Sequence, residues 1–252
     1  MEAVKFVVDC EKGNIGMDCL LLDKDSLVEN NNVLMQRACA SHVDMVRVLL
    51  SEGRVDPTDN CNAAMRSACA NGHVDVVRLL LADGRVNPAD KKNVAIRLAC
   101  YHGHVDVVRL LLDDDRVNPA DNNNSAIWRA CRNGHIDVVR LLLSDNRVDP
   151  VVNRNYAMRE ACKNGHVDVV RLLLADGRMN PADENNEALR SACENGYIDV
   201  VRVLLADSRV NPTFGYNKVI RLAGANGHID VVRILLADSR VNPACNRNYT
   251  FG

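Results

Sequence analysis

The chain has 252 residues, 47% of them hydrophobic, with 31 Lys and Arg against 33 Asp and Glu. A charge so nearly balanced excludes the basic excess that marks most nucleic-acid and membrane-surface binders. Apolar runs such as Leu79–Ala82 are too short to span a bilayer, and Met1–Gly13 carries Glu2, Asp9 and Glu11 where a secretory signal would be apolar, so an intracellular, cytoplasmic setting is expected.

The seven prolines are Pro57, Pro88, Pro119, Pro150, Pro181, Pro212 and Pro243, each 31 positions after the last. A fixed period of this size indicates one supersecondary unit copied in tandem. In chain order we expect a degenerate unit at 1–28, where Gly13-Asn14-Ile15 and Leu20-Leu21-Leu22 echo the later copies. Repeats then follow at 29–56, 57–87, 88–118, 119–149, 150–180, 181–211 and 212–242, with a partial unit at 243–252, all forming one array.

The unit at 57–87 serves as the template. Asn62, repeated as Asn93, Asn124, Asn155, Asn186, Asn217 and Asn248, precedes an Ala-rich stretch. That position predicts a helix N-cap, the side chain accepting from first-turn N–H groups. Helix A follows, with Ala64, Met65, Ala68 and Cys69 on one face, and Asn71-Gly72 predicts a left-handed turn at its end. Helix B is expected from Val74 to Ala82, with Gly84 at its C′ position. Its polar stripe at Asp75 and Arg78 is narrow, so it must be buried on most sides. Arg85 to Pro88 leads out extended, and the polar stretch before the next Asn reads as a turn or a hairpin tip. Neither helix is long enough to hold in water alone. The fold class is therefore an all-α repeat solenoid of stacked helix-turn-helix units, joined by short turn or hairpin fingers.

The run Gly72-His73-Val74-Asp75-Val76-Val77-Arg78-Leu79-Leu80-Leu81-Ala82-Asp83-Gly84 resembles the second half of an ankyrin repeat, and the match recurs in register over nearly the whole chain. Two departures stand out. The unit is shorter than the usual 33 residues. The family's Thr-Pro-Leu-His start is replaced by sequences such as Ala63-Ala64-Met65-Arg66. The short form resembles arrays common in large DNA viruses of amoebae and in amoebal genomes. The resemblance implies protein binding through the fingers and the concave helix A face.

Four rows recur from unit to unit. Cys10, Cys39, Cys69, Cys100, Cys131, Cys162 and Cys193 take the last small position of helix A. Helices about 8–10 Å apart hold such positions beyond disulfide reach, so the row reads as small buried hydrophobes rather than redox or metal chemistry. His42, His73, His104, His135, His166 and His228 share a second position, with Tyr197 substituting once. Tyr cannot replace a required imidazole ligand, and the resemblance implies a loop role for this row, bonding backbone between units. Asp75/Arg78 and Asp83/Arg85 form two charged rows, expected as solvated ion pairs. No catalytic motif, metal site or cofactor fingerprint is present, and no enzyme activity is expected.

Function is expected where the units differ. On the fingers and helix A these positions are Lys91, Lys92, Tyr101, Trp128, Arg129, Arg132, Arg154, Tyr156, Lys163, Glu184, Glu187, Glu194, Phe214, Tyr216 and Lys218. A basic middle gives way to an acidic step and then to an aromatic end. Tyr, Trp and Arg are the types most enriched in binding hot spots, so these residues are the expected contacts for another protein. The alternative is a structural or self-associating segment of a longer array, joined through an uncapped face on the Val219–Leu236 pair.

Overall fold

Each unit folds as two helices because its apolar residues recur at helical spacing on both segments. The computed structural model describes residues 43–53 and 55–241, with Met35, Ala38 and Cys39. The expected units at 1–28 and 243–252, with Cys10 and Cys245, lie outside the described residues, as does His42. Among the described residues the elements are all helices. They are α1 (Val43–Ser51), α2 (Asp59–Asn71), α3 (Val74–Ala82), α4 (Asp90–His102), α5 (Val105–Leu112), α6 (Asp121–Arg132), α7 (Ile136–Ser144), α8 (Val152–Lys163), α9 (Val167–Asp176), α10 (Asp183–Glu194), α11 (Ile198–Leu205), α12 (Phe214–Ala225) and α13 (Ile229–Ala237). None is long and apolar enough to cross a membrane.

Contacts gather the chain into two compact units, residues 1–99 with 106–118 and residues 100–105 with 119–252. In the first, α3 packs against α1 and α2. In the second, α8 lies against α6 and α10, and α10 against α12. The second helices follow the same order, α7 on α9, α9 on α11 and α11 on α13. Equivalent residues fill equivalent slots: Val76, Val77 and Leu80 of α3 are fully buried, as are Val138, Val139 and Leu142 of α7. Each such side chain contributes about 2 kcal/mol of transfer energy. The prolines from Pro57 to Pro212 are buried too, so this row packs as well as punctuates.

The finger is neither a hairpin nor a conventional turn. Three successive residues take left-handed backbone: Asn60, Cys61 and Asn62, then Lys91–Asn93, Asn122–Asn124, Asn153–Asn155 and Glu184–Asn186. The Asn row is therefore not the expected N-cap. It holds the last left-handed residue before helix A, at φ 52 for Asn124 and φ 59 for Asn186, a conformation that Asn tolerates better than most residues. Its side chain reaches the next repeat. The Asn93 Oδ1 accepts from the Asn118 N–H at 2.9 Å, Asn124 Oδ1 from Asp149 N–H at 2.9 Å and Asn186 Oδ1 from Asn211 N–H at 3.0 Å. A second donor supports the turn from above. Arg66 donates to the carbonyls of Asn60 and Cys61, Arg97 to Lys91 at 3.0 Å and Arg159 to Asn153 at 3.0 Å.

Gly84 does not supply the expected left-handed C′ residue. Asp83 ends α3 in an extended conformation, and among the described residues of this row only Gly53 and Gly177 are left-handed, at φ 66 and φ 78. The reason lies in the Asp83/Arg85 row. The Asp83 carboxylate takes the Arg85 backbone N–H at 3.0 Å and clasps its guanidinium at 2.9 and 2.7 Å, which closes the helix end by itself. The row forms the expected ion pairs, with Arg85 and Arg116 partly in solvent, but it does more. Arg116 donates to the Val86 and Leu81 carbonyls of the preceding repeat, Arg178 to Val148 and Leu143, and Arg240 to Val210 and Leu205. Leu81, Leu143 and Leu205 lie in the last turn of second helices, where carbonyls lack intrahelical donors. The outer row is exposed as expected, but among the described residues only Asp230 and Arg233 close into an ion pair, at 3.1 Å.

The clasp has a pH signature. The guanidinium hydrogen bonds hold Asp83, Asp114, Asp145, Asp176, Asp207 and Asp238 below the usual carboxylate value. A lowered folded-state pKa gives stability that is present above the unfolded value and lost as pH falls through the folded one. The urea midpoint, followed by circular dichroism, is expected to hold from pH 7 to about pH 5 and to drop steeply below about pH 4, where free carboxyls titrate. A chain carrying Asp145→Asn and Asp207→Asn should start lower and fall less. An acid limb unchanged by the two substitutions would show that this row is not its source.

Candidate protein-interaction face

Helix A of the second unit carries most of the variable positions, and the framework around them is chemically quiet. The thiols of Cys39 and Cys193 are pushed up to about 12 by burial, and those of Cys69, Cys131 and Cys162 higher still. Thiolate is the reactive form, so these cysteines are inert packing groups. Cys100 is buried in the same row, whereas Cys61, on its left-handed turn, is exposed. The His row does bond backbone between repeats. His135 Nε2 lies 2.9 Å from the Tyr101 carbonyl oxygen, His166 Nε2 2.9 Å from that of Arg132 and His228 Nε2 2.9 Å from that of Glu194. A proton on Nε2 makes each of these a donated bond. Among the described residues no three His, Cys, Asp or Glu side chains gather where a metal could sit.

Against this frame the structure assembles one cluster from the expected residues. Trp128 of α6 occupies the row that elsewhere holds Arg66, Arg97 and Arg159. Having no guanidinium to reach the turn carbonyls, it packs edge-on against Tyr156 of α8, ring centroids 5.4 Å apart at 71°. The Arg129 guanidinium lies 4.8 Å from the Trp128 ring centre, and that of Arg159 lies 5.2 Å from the Tyr156 ring. Burial first, and then the Glu160 carboxylate beside it, raise the pKa of the Tyr156 hydroxyl. Glu160 is 7% exposed and is held by Arg132 at 3.6 Å. The sequence did not single out Arg159 or Glu160. Arg159 repeats like a framework residue, and Glu160 stands on a position filled by Ser67, Leu98, Arg129 and Ser191 in other units; only that irregularity marked it.

Other expected contacts answer one another. Arg154 pairs with Glu184 across neighbouring turns, and Glu187 pairs with Arg190 at 2.6 Å. The acidic step thus neutralises part of the basic middle. Lys163, Glu194 and Lys218 are exposed, Tyr101 is 40% exposed and Phe214 43%. The Tyr216 side chain lies outside the described residues. Lys91 and Lys92 are exposed on a left-handed turn of the first unit and do not belong to this cluster.

Helix pairs in register, tied by repeated side-chain rows and varied on one set of positions, define a tandem repeat protein of the interaction-module class. The family follows from comparison with known proteins. A model of ankyrin repeats in three copies matches residues 1–93, 84–154 and 144–214, and the chain belongs to the ankyrin-repeat family. Ankyrin repeats generally mediate protein–protein interaction. No match was found among curated proteins. Among solved structures, an ankyrin repeat domain from Acinetobacter baumannii AYE is similar at 24% identity and a TM-score of 0.57, covering 69% of this chain and 96% of that one. The ankyrin repeat domain of Bcl-3, a member of the IkappaB protein family, is similar at 24% identity and a TM-score of 0.60, covering 79% of this chain and 97% of that one.

Proposed function

We propose that the chain is a non-enzymatic interaction array, an adaptor, scaffold or decoy, that binds another protein on the helix A and turn face of its second unit. The observation that carries this reading is the Trp128–Tyr156 pair flanked by Arg129 and Arg159, a half-buried aromatic and arginine cluster of the composition found at binding hot spots. The recurring Cys, His, Asn and Asp83/Arg85 rows are committed to packing or to holding repeats together, which leaves the positions that differ between repeats. Buried reduced thiols accord with an intracellular setting. The 31-residue spacing supports a likeness to short-repeat arrays of amoebal genomes and large DNA viruses of amoebae.

The test is affinity capture with the wild-type chain and with a Trp128→Ala/Lys163→Glu variant. Lys163 is preferred to Arg132 for charge reversal because Arg132 holds the buried Glu160. Losing one such anchor costs on the order of 2 kcal/mol, or about thirtyfold in affinity. At least one partner should be retained by the wild type and lost by the variant, with both giving the same circular dichroism. Equal recovery of every partner would remove this face from the proposal.

A second reading, self-association, is favoured by Ile229, 64% exposed, and Leu236, 47% exposed, on α13. Their counterparts Ile198 and Leu205 on α11 are half-buried. A light-scattering mass that rises with concentration, and is returned to the monomer by Leu236→Lys, would support it.

A further inference from the structure

We propose that the Trp128–Tyr156 cluster selects an acidic segment of its partner, carboxylates set beside an apolar or aromatic residue; this rests on the reading of that face as the interaction surface. The argument is one of charge left over after pairing. Around the cluster Glu160 is answered by Arg132, Glu184 by Arg154 and Glu187 by Arg190. Three cations then remain. Arg129 lies over Trp128, with its Nε buried and without a hydrogen-bond acceptor. Arg159 lies over Tyr156, its Nε likewise without an acceptor, while its terminal nitrogen holds the Asn153 carbonyl. Lys163 is exposed one turn further along α8. None of the three has a carboxylate partner among the described residues.

The two kinds of group act together. Arg132 keeps 54% of its side chain exposed, and its bond to Glu160 is long at 3.6 Å, so it too presents donor edges outward. Guanidinium forks match carboxylates in a bidentate way, and stacking on an aromatic ring fixes the plane of the fork beforehand. The rings of Trp128 and Tyr156 give an apolar residue of the partner a surface between those forks.

A nucleic acid would also find cations and rings here, but the surroundings disfavour it. Glu194, exposed at the end of α10, is paired with no cation among the described residues, and the paired Glu184 and Glu187 precede it. A short run of carboxylates can end before that acidic step. A continuous phosphate backbone crossing the face would meet it.

Trp128 is the only tryptophan in the chain, so its fluorescence reports this site and no other. The probes are a short capped peptide with several glutamates around one phenylalanine, the same peptide with lysines for the glutamates, and a thymine oligonucleotide. The acidic peptide should shift Trp128 emission saturably, and more strongly at low salt. Lys163→Glu should weaken it about tenfold, since one exposed attraction is lost and one repulsion gained. Tighter binding by the lysine peptide or the oligonucleotide would overturn the proposal, as would equal binding to the Lys163→Glu variant. If no acidic probe binds while Trp128→Ala/Lys163→Glu still loses a captured protein, the interaction face stands and its acidic selectivity falls. If capture is also unaffected, both fall.

Discussion

Replacing Gly134 with alanine is expected to destabilise the protein by about 2–3 kcal/mol, about 1 kcal/mol more than the same change at Gly227. Both glycines end a helix A in left-handed backbone, at φ 76 and φ 75. An alanine there pays about 1–2 kcal/mol for the conformation alone. At Gly227 nothing lies within 4 Å of the added Cβ, so the cost should stop at that figure. At Gly134 the Cβ would stand 2.6 Å from His166 Nδ1 and 2.8 Å from Cε1. The imidazole must move, and its 2.9 Å bond to the Arg132 carbonyl goes with it, adding about 1 kcal/mol. Urea unfolding of the two variants, followed by circular dichroism, separates the terms. Equal losses at the two sites would mean that the imidazole gives way freely and that the histidine row contributes little.

This pair of glycines marks how far the sequence was legible. The Asn71-Gly72 pattern announced a left-handed turn, and Gly72 has φ 76. The period, the limits of helix B and the buried cysteine row could be read because helical spacing and small-residue packing leave a direct imprint on composition. The left-handed finger could not. Cys61, Lys91, Lys92, Arg154 and Glu184 are not types suited to positive φ, and of the three finger positions only the closing one is Asn in every described unit. Those turns are held from outside, by Arg97 and Arg159 on the following helix and by the next repeat through Asn. Local propensity carries no trace of that.

The Asp83/Arg85 row was underestimated for a related reason. Asp83 and Arg85 look like any surface pair in sequence, and exposed pairs contribute little. What matters is where the remaining guanidinium donors point, which depends on a neighbour 30 residues away: Arg85 reaches the Val55 carbonyl at 3.2 Å. At the candidate face the identities of Trp128, Arg129 and Tyr156 were legible as departures from the repeat. Their meeting was not, because it requires knowing that α6 and α8 lie side by side. Nor was the cancellation of Arg154 by Glu184, which only the packing of adjacent turns brings about.

The Asn row gives the sharpest test of the finger. Asn186 is 4% exposed, sits at φ 59, and its Oδ1 accepts the Asn211 N–H at 3.0 Å. It therefore has two separable tasks, to tolerate the left-handed backbone and to satisfy a donor in the following loop. Glycine performs the first and not the second. Asn186→Gly should lose the bond and leave a partly buried N–H without its acceptor, at about 1–2 kcal/mol. Asn186→Ala fails at both and adds about 1–2 kcal/mol for an L side chain in that conformation, giving about 3 kcal/mol in all. The ordering wild type, then Gly, then Ala, measured by urea unfolding, is the expected outcome. A helix N-cap would give the same order, but there glycine costs only a few tenths of a kcal/mol, so the size of the Asn186→Gly loss is what separates the two roles. If Asn186→Gly costs no more than those few tenths, the bond to Asn211 contributes little, and the row returns to the N-cap role that its place in the sequence first suggested.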